Sequence, residues 1–200
     1  MRTRHAAAIA AALTIGLTAC SSDNEPAAQP TSTPPASTAT PSPSTAPSSP
    51  SASGLLAVGD AWEWETTNPD NGMTANGKTT VLSYRQPVTG IEPPGEGLGV
   101  SDRAVWSRIE VKVCNDKGDP ITVSQFPWSL AYDDGAIVDV TGLSGGGFPK
   151  PEFPTDDTFV RAGRCVRGGI MFAVEPDGRP DRIVYTPEGR EPVEWAVPPK

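Results

Sequence analysis

RAVWSRIEVKVC, residues 103–114, carries the clearest β-strand pattern in the chain. One side of this stretch, when extended, carries aliphatic side chains: Val105, Ile109, Val111 and Val113. The other side carries charged ones: Arg108, Glu110 and Lys112. An alternation with a period of two is typical of a strand that buries one face and exposes the other. The stretch therefore predicts a long, half-buried strand.

Similar alternations lie on both sides of this stretch and predict further strands. They span residues 61–66, 78–84, 121–132, 135–140, 169–174, 181–186 and 193–197. Clusters of Asn, Asp, Gly and Pro separate them, as at 68–72 and 116–120, and such residues form the turns between strands. No segment of residues 54–200 keeps a helical apolar stripe for three turns. Short strands at this spacing predict an all-β sandwich domain formed by residues 54–200.

Four motifs follow one another in an order that resembles a known domain family. They are Val58–Asp60, Val111–Asp116, Leu130–Gly135 and Val160–Val174. Together they resemble the telokin-like, immunoglobulin-type domain of unknown function that occurs in secreted proteins and lipoproteins of Gram-positive, actinobacterial-type bacteria. A secreted mycobacterial antigen has a similar fold. The resemblance covers most of residues 55–198, implies an immunoglobulin-like antiparallel β-sandwich, and brings no established activity or catalytic residue.

The first 20 residues have the pattern of a lipoprotein signal. Residues 1–5 are basic, and residues 6–17 form an apolar run too short to span a bilayer. Leu17–Cys20 resembles the lipobox of bacterial lipoproteins, which implies cleavage after residue 19 and a diacylglycerol thioether on Cys20. Because two acyl chains give stable anchoring, we expect the chain at the extracytoplasmic face of the cell membrane. An ordinary signal peptide with a chance cysteine is the alternative.

Residues 20–53 have the composition of a spacer between the anchor and the domain. They are rich in Ser, Thr, Pro and Ala and hold no aromatic or large aliphatic residue. Such a segment cannot bury enough apolar surface to offset the entropy lost on ordering. We therefore expect a disordered tether that holds residues 54–200 away from the membrane.

Two cysteines remain in the domain, at the ends of predicted strands. Cys114 ends the strand quoted above, and Cys165 begins another. If the two strands are antiparallel neighbours, the cysteines meet, and an exported protein enters an oxidising compartment. We therefore predict a Cys114–Cys165 disulfide. A reactive thiol or a pair of metal ligands is the alternative.

Histidine chemistry is missing from the domain, because the only histidine, His5, lies in the predicted signal. Histidine-dependent triads and histidine-ligated metals are therefore not expected. No Gly-rich phosphate loop joins a strand to a helix. The net charge of −8 argues against nucleic acid as a partner, since phosphate neutralisation needs clustered Lys and Arg. We predict no catalytic residue, no metal site and no cofactor.

Acidic residues offer the main alternative chemistry. The pairs 133–134 and 156–157, with Asp116 and Asp119, could bind calcium or act as an acid/base pair. None of them has the spacing of an EF-hand loop, and Asp is a common turn residue. We favour turn chemistry over a carboxylate-based or calcium-dependent domain acting on the cell wall.

Five tryptophans mark candidate core and surface positions. Trp62 and Trp64 share one strand face, and we expect them in the core with Trp128 and Trp195. Trp106 lies opposite the aliphatic face of its strand. Its parity predicts an outward position unless a neighbouring segment or the disulfide covers it.

Two long Gly/Pro-rich loops, residues 91–99 and 141–154, offer a candidate recognition surface. Long loops on rigid sandwiches often carry binding residues. The second loop supplies the predicted binding residues: Phe148, Lys150, Glu152 and Phe153. A loop surface without a binding role is the alternative.

The tether, the sandwich and the missing catalytic groups together predict a non-enzymatic module. We expect it to bind an extracytoplasmic protein, a peptide or a cell-wall component. An accessory subunit of an exported complex is a further alternative.

Overall fold

The structure is a computed structural model that describes residues 54–200. The predicted signal at 1–19, the lipidation of Cys20 and the tether at 20–53 lie outside the described residues. Within them, eleven strands and one short 3-10 helix, Glu96–Leu98, are formed. The strands are β1 Leu56–Ala57, β2 Ala61–Thr67, β3 Thr74–Val88, β4 Val105–Gly118, β5 Ile121–Val123, β6 Trp128–Ala131, β7 Ile137–Asp139, β8 Thr158–Val160, β9 Arg164–Val174, β10 Arg182–Tyr185 and β11 Val193–Ala196. No helix in this part of the chain is long and apolar enough to cross a bilayer.

The strands form a five-stranded sheet, a four-stranded sheet and a small two-stranded sheet. Their orders are β1-β11-β10-β6-β7, β2-β3-β4-β9 and β5-β8. All neighbouring pairs are antiparallel except β1 and β11. The fold class predicted from the sequence, an all-β immunoglobulin-like sandwich of antiparallel strands, is confirmed.

Strand β4 lies at the centre of the four-stranded sheet, between β3 and β9. Ile109, Val111 and Val113 are almost fully buried in the main core, as the alternation predicts. They lie in one hydrophobic cluster with Trp128 and Trp195 of the five-stranded sheet. Burial of each aliphatic side chain of this size contributes about 1.5–3 kcal/mol. Residues 103–114 therefore pack the four-stranded sheet against the five-stranded sheet.

The prediction of one strand over residues 121–132 is wrong, because two strands of different sheets share this segment. β5 pairs with β8, whereas β6 pairs with β10 and β7. Pro127 between them has no N–H to donate to a ladder. The buried side chain of Gln125 instead donates from Nε2 to the carbonyl oxygen of Phe153, 2.8 Å away. Strands β1 and β8 were not predicted, since two or three residues are too few to show an alternation.

A second hydrophobic cluster lies on the opposite face of the four-stranded sheet. This outer cluster consists of Trp106, Phe148, Met171 and Ala173. Trp106 points away from the main core, as its parity predicts, yet only 4% of its surface is exposed. Phe148 packs edge-on against it with 5.0 Å between ring centroids, and its Nε1 donates to the carbonyl of Glu92 at 2.7 Å. Both long loops therefore cover Trp106. The sequence predicted an outward position for this residue unless a neighbouring segment covered it, and the two loops are such segments.

Candidate functional site

An open groove lies between the inner face of β2 and the turn after β10. We call it the aromatic groove and define it by Trp62, Trp64, Tyr185, Pro187, Glu188 and Arg190. Its volume is about 150 Å³. It adjoins a cavity of about 310 Å³, and both are lined by Val113, Thr122 and Tyr185.

The alternation of β2 places its tryptophans in the groove. Trp62 and Trp64 are half-buried on the inner face, while Glu63 and Glu65 are exposed on the other. A side chain at Gly77 of β3 would collide with the Trp64 ring, so glycine is required for the ring to lie there. The Trp64 Nε1 donates to Thr79 Oγ1 at 3.1 Å, which fixes the ring's orientation.

Tyr185 links the aromatic groove to the main core. Its ring lies 4.6 Å from that of Trp128, which is fully buried, and 6.0 Å from that of half-buried Trp62. The Arg190 guanidinium lies over the Trp62 ring, 5.1 Å from its centroid. Burial raises the pKa of Tyr185, and the nearby charge of Arg190 opposes this rise only in part. The phenol therefore stays neutral and is able to donate or accept a hydrogen bond.

The chemistry of this surface suits binding. Partly exposed tryptophan and tyrosine rings offer an apolar contact surface, and the few polar groups beside them orient a ligand. Here the polar groups are the charges of Glu188 and Arg190 and the hydroxyl of Thr122. Tyr185 and Thr122 also line the adjoining cavity, so a ligand longer than one side chain can extend into it.

The two domain cysteines form the disulfide predicted from the sequence. Cys114 of β4 and Cys165 of β9 are opposite each other in the strand register, with 4.0 Å between their Cα atoms. Cys114 is buried and Cys165 is exposed. In this structure both sulfurs are bonded, so neither is a free thiol or a metal ligand.

The four residues of the predicted binding loop have two different environments. Phe148 belongs to the outer cluster with 9% of its surface exposed, and Phe153 lies in the main core with 1% exposed. Lys150 is exposed and forms an ion pair with Glu152, whose side chain is mostly buried. The binding role of the loop stays a prediction, but its two phenylalanines are not available to contact a ligand.

Backbone hydrogen bonds attach this loop to β9. The Phe153 amide donates to the Gly169 carbonyl, and the Gly169 amide donates to the Pro151 carbonyl, both at 2.9 Å. A side chain at Gly168 would collide with the backbone of Glu152 and Phe153. The absence of a side chain at Gly168 therefore allows the loop to approach the strand.

The Glu152 carboxylate adds an ionic contact at the same place. Burial opposes its ionisation, but hydrogen bonds from Lys150 and from the Gly145 amide hold the pKa of Glu152 below its usual range. The Gly145 amide lies 2.8 Å from its Oε2. The loop is thus attached through apolar, backbone and ionic contacts.

Three of the aspartates considered as a calcium or acid/base site bind backbone amides or a surface lysine, whereas Asp157 lines the cavity of about 310 Å³ beside the aromatic groove. Asp119 accepts from the Thr74 amide, Asp134 accepts from the Ala136 amide, and Asp116 pairs with Lys78 at 3.7 Å. Between residues 54 and 200, no three or more His, Cys, Asp or Glu side chains are grouped closely enough to hold a metal ion.

The aromatic groove was missed by the sequence analysis, which expected Trp62 and Trp64 in the core. Their inward orientation was predicted correctly, but their exposure depends on β2 being an edge strand. The flanking acidic residues Glu63 and Glu65 were the available signal, since charged residues often mark sheet edges.

Neither a family model nor a curated protein sequence matches this chain. Among solved structures, it is similar to the secreted protein MPT63 of Mycobacterium tuberculosis, with a TM-score of 0.47 and 17% identity over 71% of this chain and 95% of that one. It is also similar to a Bacillus subtilis protein described as a lipoprotein, with a TM-score of 0.40 and 19% identity over 68% of this chain and 38% of that one. A Listeria monocytogenes protein of unknown function gives a TM-score of 0.39 and 12% identity over 72% of this chain and 91% of that one.

These likenesses assign neither a family nor an activity, and the telokin-like relationship stays a prediction.

Proposed function

We propose that this chain is a non-enzymatic binding module displayed outside the cell membrane, and that the aromatic groove is its binding surface. The observation that carries the proposal is that Trp62, Trp64 and Tyr185, which pack against the main core, are each partly exposed in one groove. Trp128 and Trp195 show the contrast, because they are almost completely buried in the main core. Clustered, accessible aromatic side chains of this kind are frequent at binding surfaces.

The sequence supports a function without catalysis. The only histidine lies at position 5, and both domain cysteines are bonded to each other. The groups that remain in the aromatic groove are aromatic rings, hydroxyls, a carboxylate and a guanidinium. These groups recognise a ligand by packing and charge.

The location outside the membrane is supported by the amino-terminal pattern. The lipobox-like Leu17–Cys20 follows an apolar run of signal length. The partner we expect is an extracytoplasmic protein, a peptide or a cell-wall component, and the membrane contact is the lipid on Cys20. Changing Cys20→Ser should release the chain into the medium. A variant that remains with the membrane fraction would contradict the anchor.

The binding surface is tested by capture from an envelope extract with the immobilised full chain. Trp62→Ala removes the ring under Arg190 and should abolish most of the specific capture. Ile137→Ala is the matched control, because Ile137 is also apolar and 66% exposed but lies on β7 at the far edge of the other sheet. Both variants are first shown to be folded by thermal denaturation. Equal capture by the two variants would place binding elsewhere.

A further inference from the structure

Strand β2 has one edge without a partner. It pairs with β3 over all seven of its residues, Ala61–Thr67. In the described part of the chain, no backbone hydrogen bond joins the other edge of β2 to another segment. An unpaired edge presents a row of N–H and C=O groups to which a further strand can be added.

Three other strand edges of the two large sheets are short or covered. β1 has two residues and β7 has three. The free edge of β9 is occupied by the 141–154 loop, since Pro151 and Phe153 share backbone hydrogen bonds with Gly169. Among the described residues, β2 therefore offers an open edge along all seven of its residues.

The two faces of β2 differ in chemistry, and each would contact every second side chain of an added strand. On the inner side, Trp62 and Trp64 line the aromatic groove. A cavity of about 430 Å³ is lined by Glu63, Glu65 and Asp116, and Trp64 lines it as well. Lys78 is across from Glu63 in the register, but its ammonium group pairs with Asp116. Lys117 lies across from Asn76, the partner of Glu65, so two lysines lie among the carboxylates of this side. At the open edge itself, Glu63 and Glu65 are the only charged residues of β2.

The acidic residues disfavour a second copy of this chain as the added strand. In an antiparallel pair of β2 strands centred on Trp64, Glu63 of each copy would lie opposite Glu65 of the other. Like charges directly opposite each other destabilise a strand pair, whereas opposite charges stabilise it. A strand with basic residues at these positions is complementary.

We infer that the free edge of β2 binds an extended peptide in which apolar and basic residues alternate. This inference rests on the proposed function, because the apolar residues of the peptide would occupy the aromatic groove. Main-chain hydrogen bonds to β2 supply affinity, and alternate side chains supply specificity. The apolar side chains contact Trp62 and Trp64, and the basic ones face Glu63 and Glu65.

The test uses a fluorescent heptapeptide of alternating lysine and valine, blocked at both ends, titrated into the full chain at low salt. We expect saturable binding that weakens as salt is added, since the charges are exposed. The double variant Glu63→Lys/Glu65→Lys should weaken this binding by about tenfold or more and should gain affinity for the matching glutamate–valine peptide. The matched control is Asp102→Lys/Asp177→Lys, which changes the net charge equally on exposed residues outside β2. This control should bind the lysine–valine peptide within about twofold of the parent chain.

A second peptide separates strand addition from simple charge attraction. N-methylation of every residue removes the N–H groups of both peptide edges while keeping the side chains, and it should abolish binding. Equal binding of the methylated and unmethylated peptides would overturn the inference. Equal weakening by the two charge-reversal variants would overturn it as well.

The outcomes also separate this inference from the proposed function. If the lysine–valine peptide does not bind but envelope capture still depends on Trp62, strand addition is wrong and the aromatic groove remains the binding surface. If capture does not depend on Trp62, the proposed function itself is wrong.

Discussion

The two faces of the four-stranded sheet each carry aromatic residues, but only one of these sets is open. On one face, the outer cluster of Trp106 and Phe148 is covered by two long loops. On the other, Trp62 and Trp64 of β2 lie at a groove that no loop closes. The residue types are similar, and the difference is what packs over them.

In this sandwich, loops and strands have the reverse of their usual roles. Loops are commonly the recognition elements of such folds. Here the 141–154 loop buries Phe148 and Phe153 and lies along β9, where it acts as a cover. The open aromatic surface is built on an edge strand, whose backbone is fixed by pairing with β3. A rigid strand loses less entropy on binding than a flexible loop does.

The largest expected effect is at the covered side. Trp106→Ala should lower the free energy of unfolding by about 3–5 kcal/mol, because it leaves a cavity under Phe148 and Met171. Urea denaturation at neutral pH would measure the loss. A loss under about 1 kcal/mol would mean that the outer cluster contributes little to stability.

The next effect concerns how the loop is attached. Gly168→Ala places a methyl group against the backbone of Glu152 and Phe153, and overpacking of this kind costs about 1–3 kcal/mol. Hydrogen exchange should show faster exchange of the Phe153 and Gly169 amides. Gly95→Ala is the matched control, since a methyl group there meets no atom within 4 Å. Unchanged exchange in Gly168→Ala would mean that the loop accommodates the methyl group.

Much of this contrast could be predicted from the sequence, because side-chain parity is a local property. The alternation in 103–114 gave the faces of Val111 and Trp106 correctly. The covering of Trp106 could not be predicted, since it depends on Phe148, which is distant in sequence and comes close only when β4 and β9 pair. Phe148 in a Gly/Pro-rich loop therefore looked like a recognition residue.

The aromatic groove could not be predicted from the sequence, for the same physical reason. Trp62 and Trp64 have the alternation of core residues, and only the position of β2 at the sheet edge leaves them half-exposed. Strand order is set by long-range pairing, which single segments do not encode. Pro127 marks a break between two strands in the sequence, but the pairing of β5 with β8 in a separate sheet could not be predicted from it.

A smaller effect on stability is expected at the open side. Trp62→Ala should lower the free energy of unfolding by only about 1–2 kcal/mol, because the ring is already partly in water. The same urea denaturation gives the comparison with Trp106→Ala. If both substitutions cost the same, Trp62 is a core residue and the distinction between the covered and open faces fails.

The smallest expected effect is a pH dependence confined to the covered side. Because the pKa of Glu152 is lower in the folded chain than its ordinary value of 4.5, its ionised form stabilises the fold at neutral pH. The unfolded chain binds a proton at this carboxylate more readily than the folded chain does. The stability that the ionised Glu152 contributes is therefore lost as the pH falls below about 4.5 and through the lower pKa of the folded state. Glu152→Gln should remove this part of the acid sensitivity. Subtracting the variant's unfolding free energy from that of the parent chain between pH 7 and pH 3 isolates it from Glu110, whose pKa is also lowered. If this difference in unfolding free energy stays constant between pH 7 and pH 3, the ionised carboxylate of Glu152 contributes nothing to the attachment of the loop. The attachment would then depend only on Phe148, Phe153 and the backbone hydrogen bonds to Gly169.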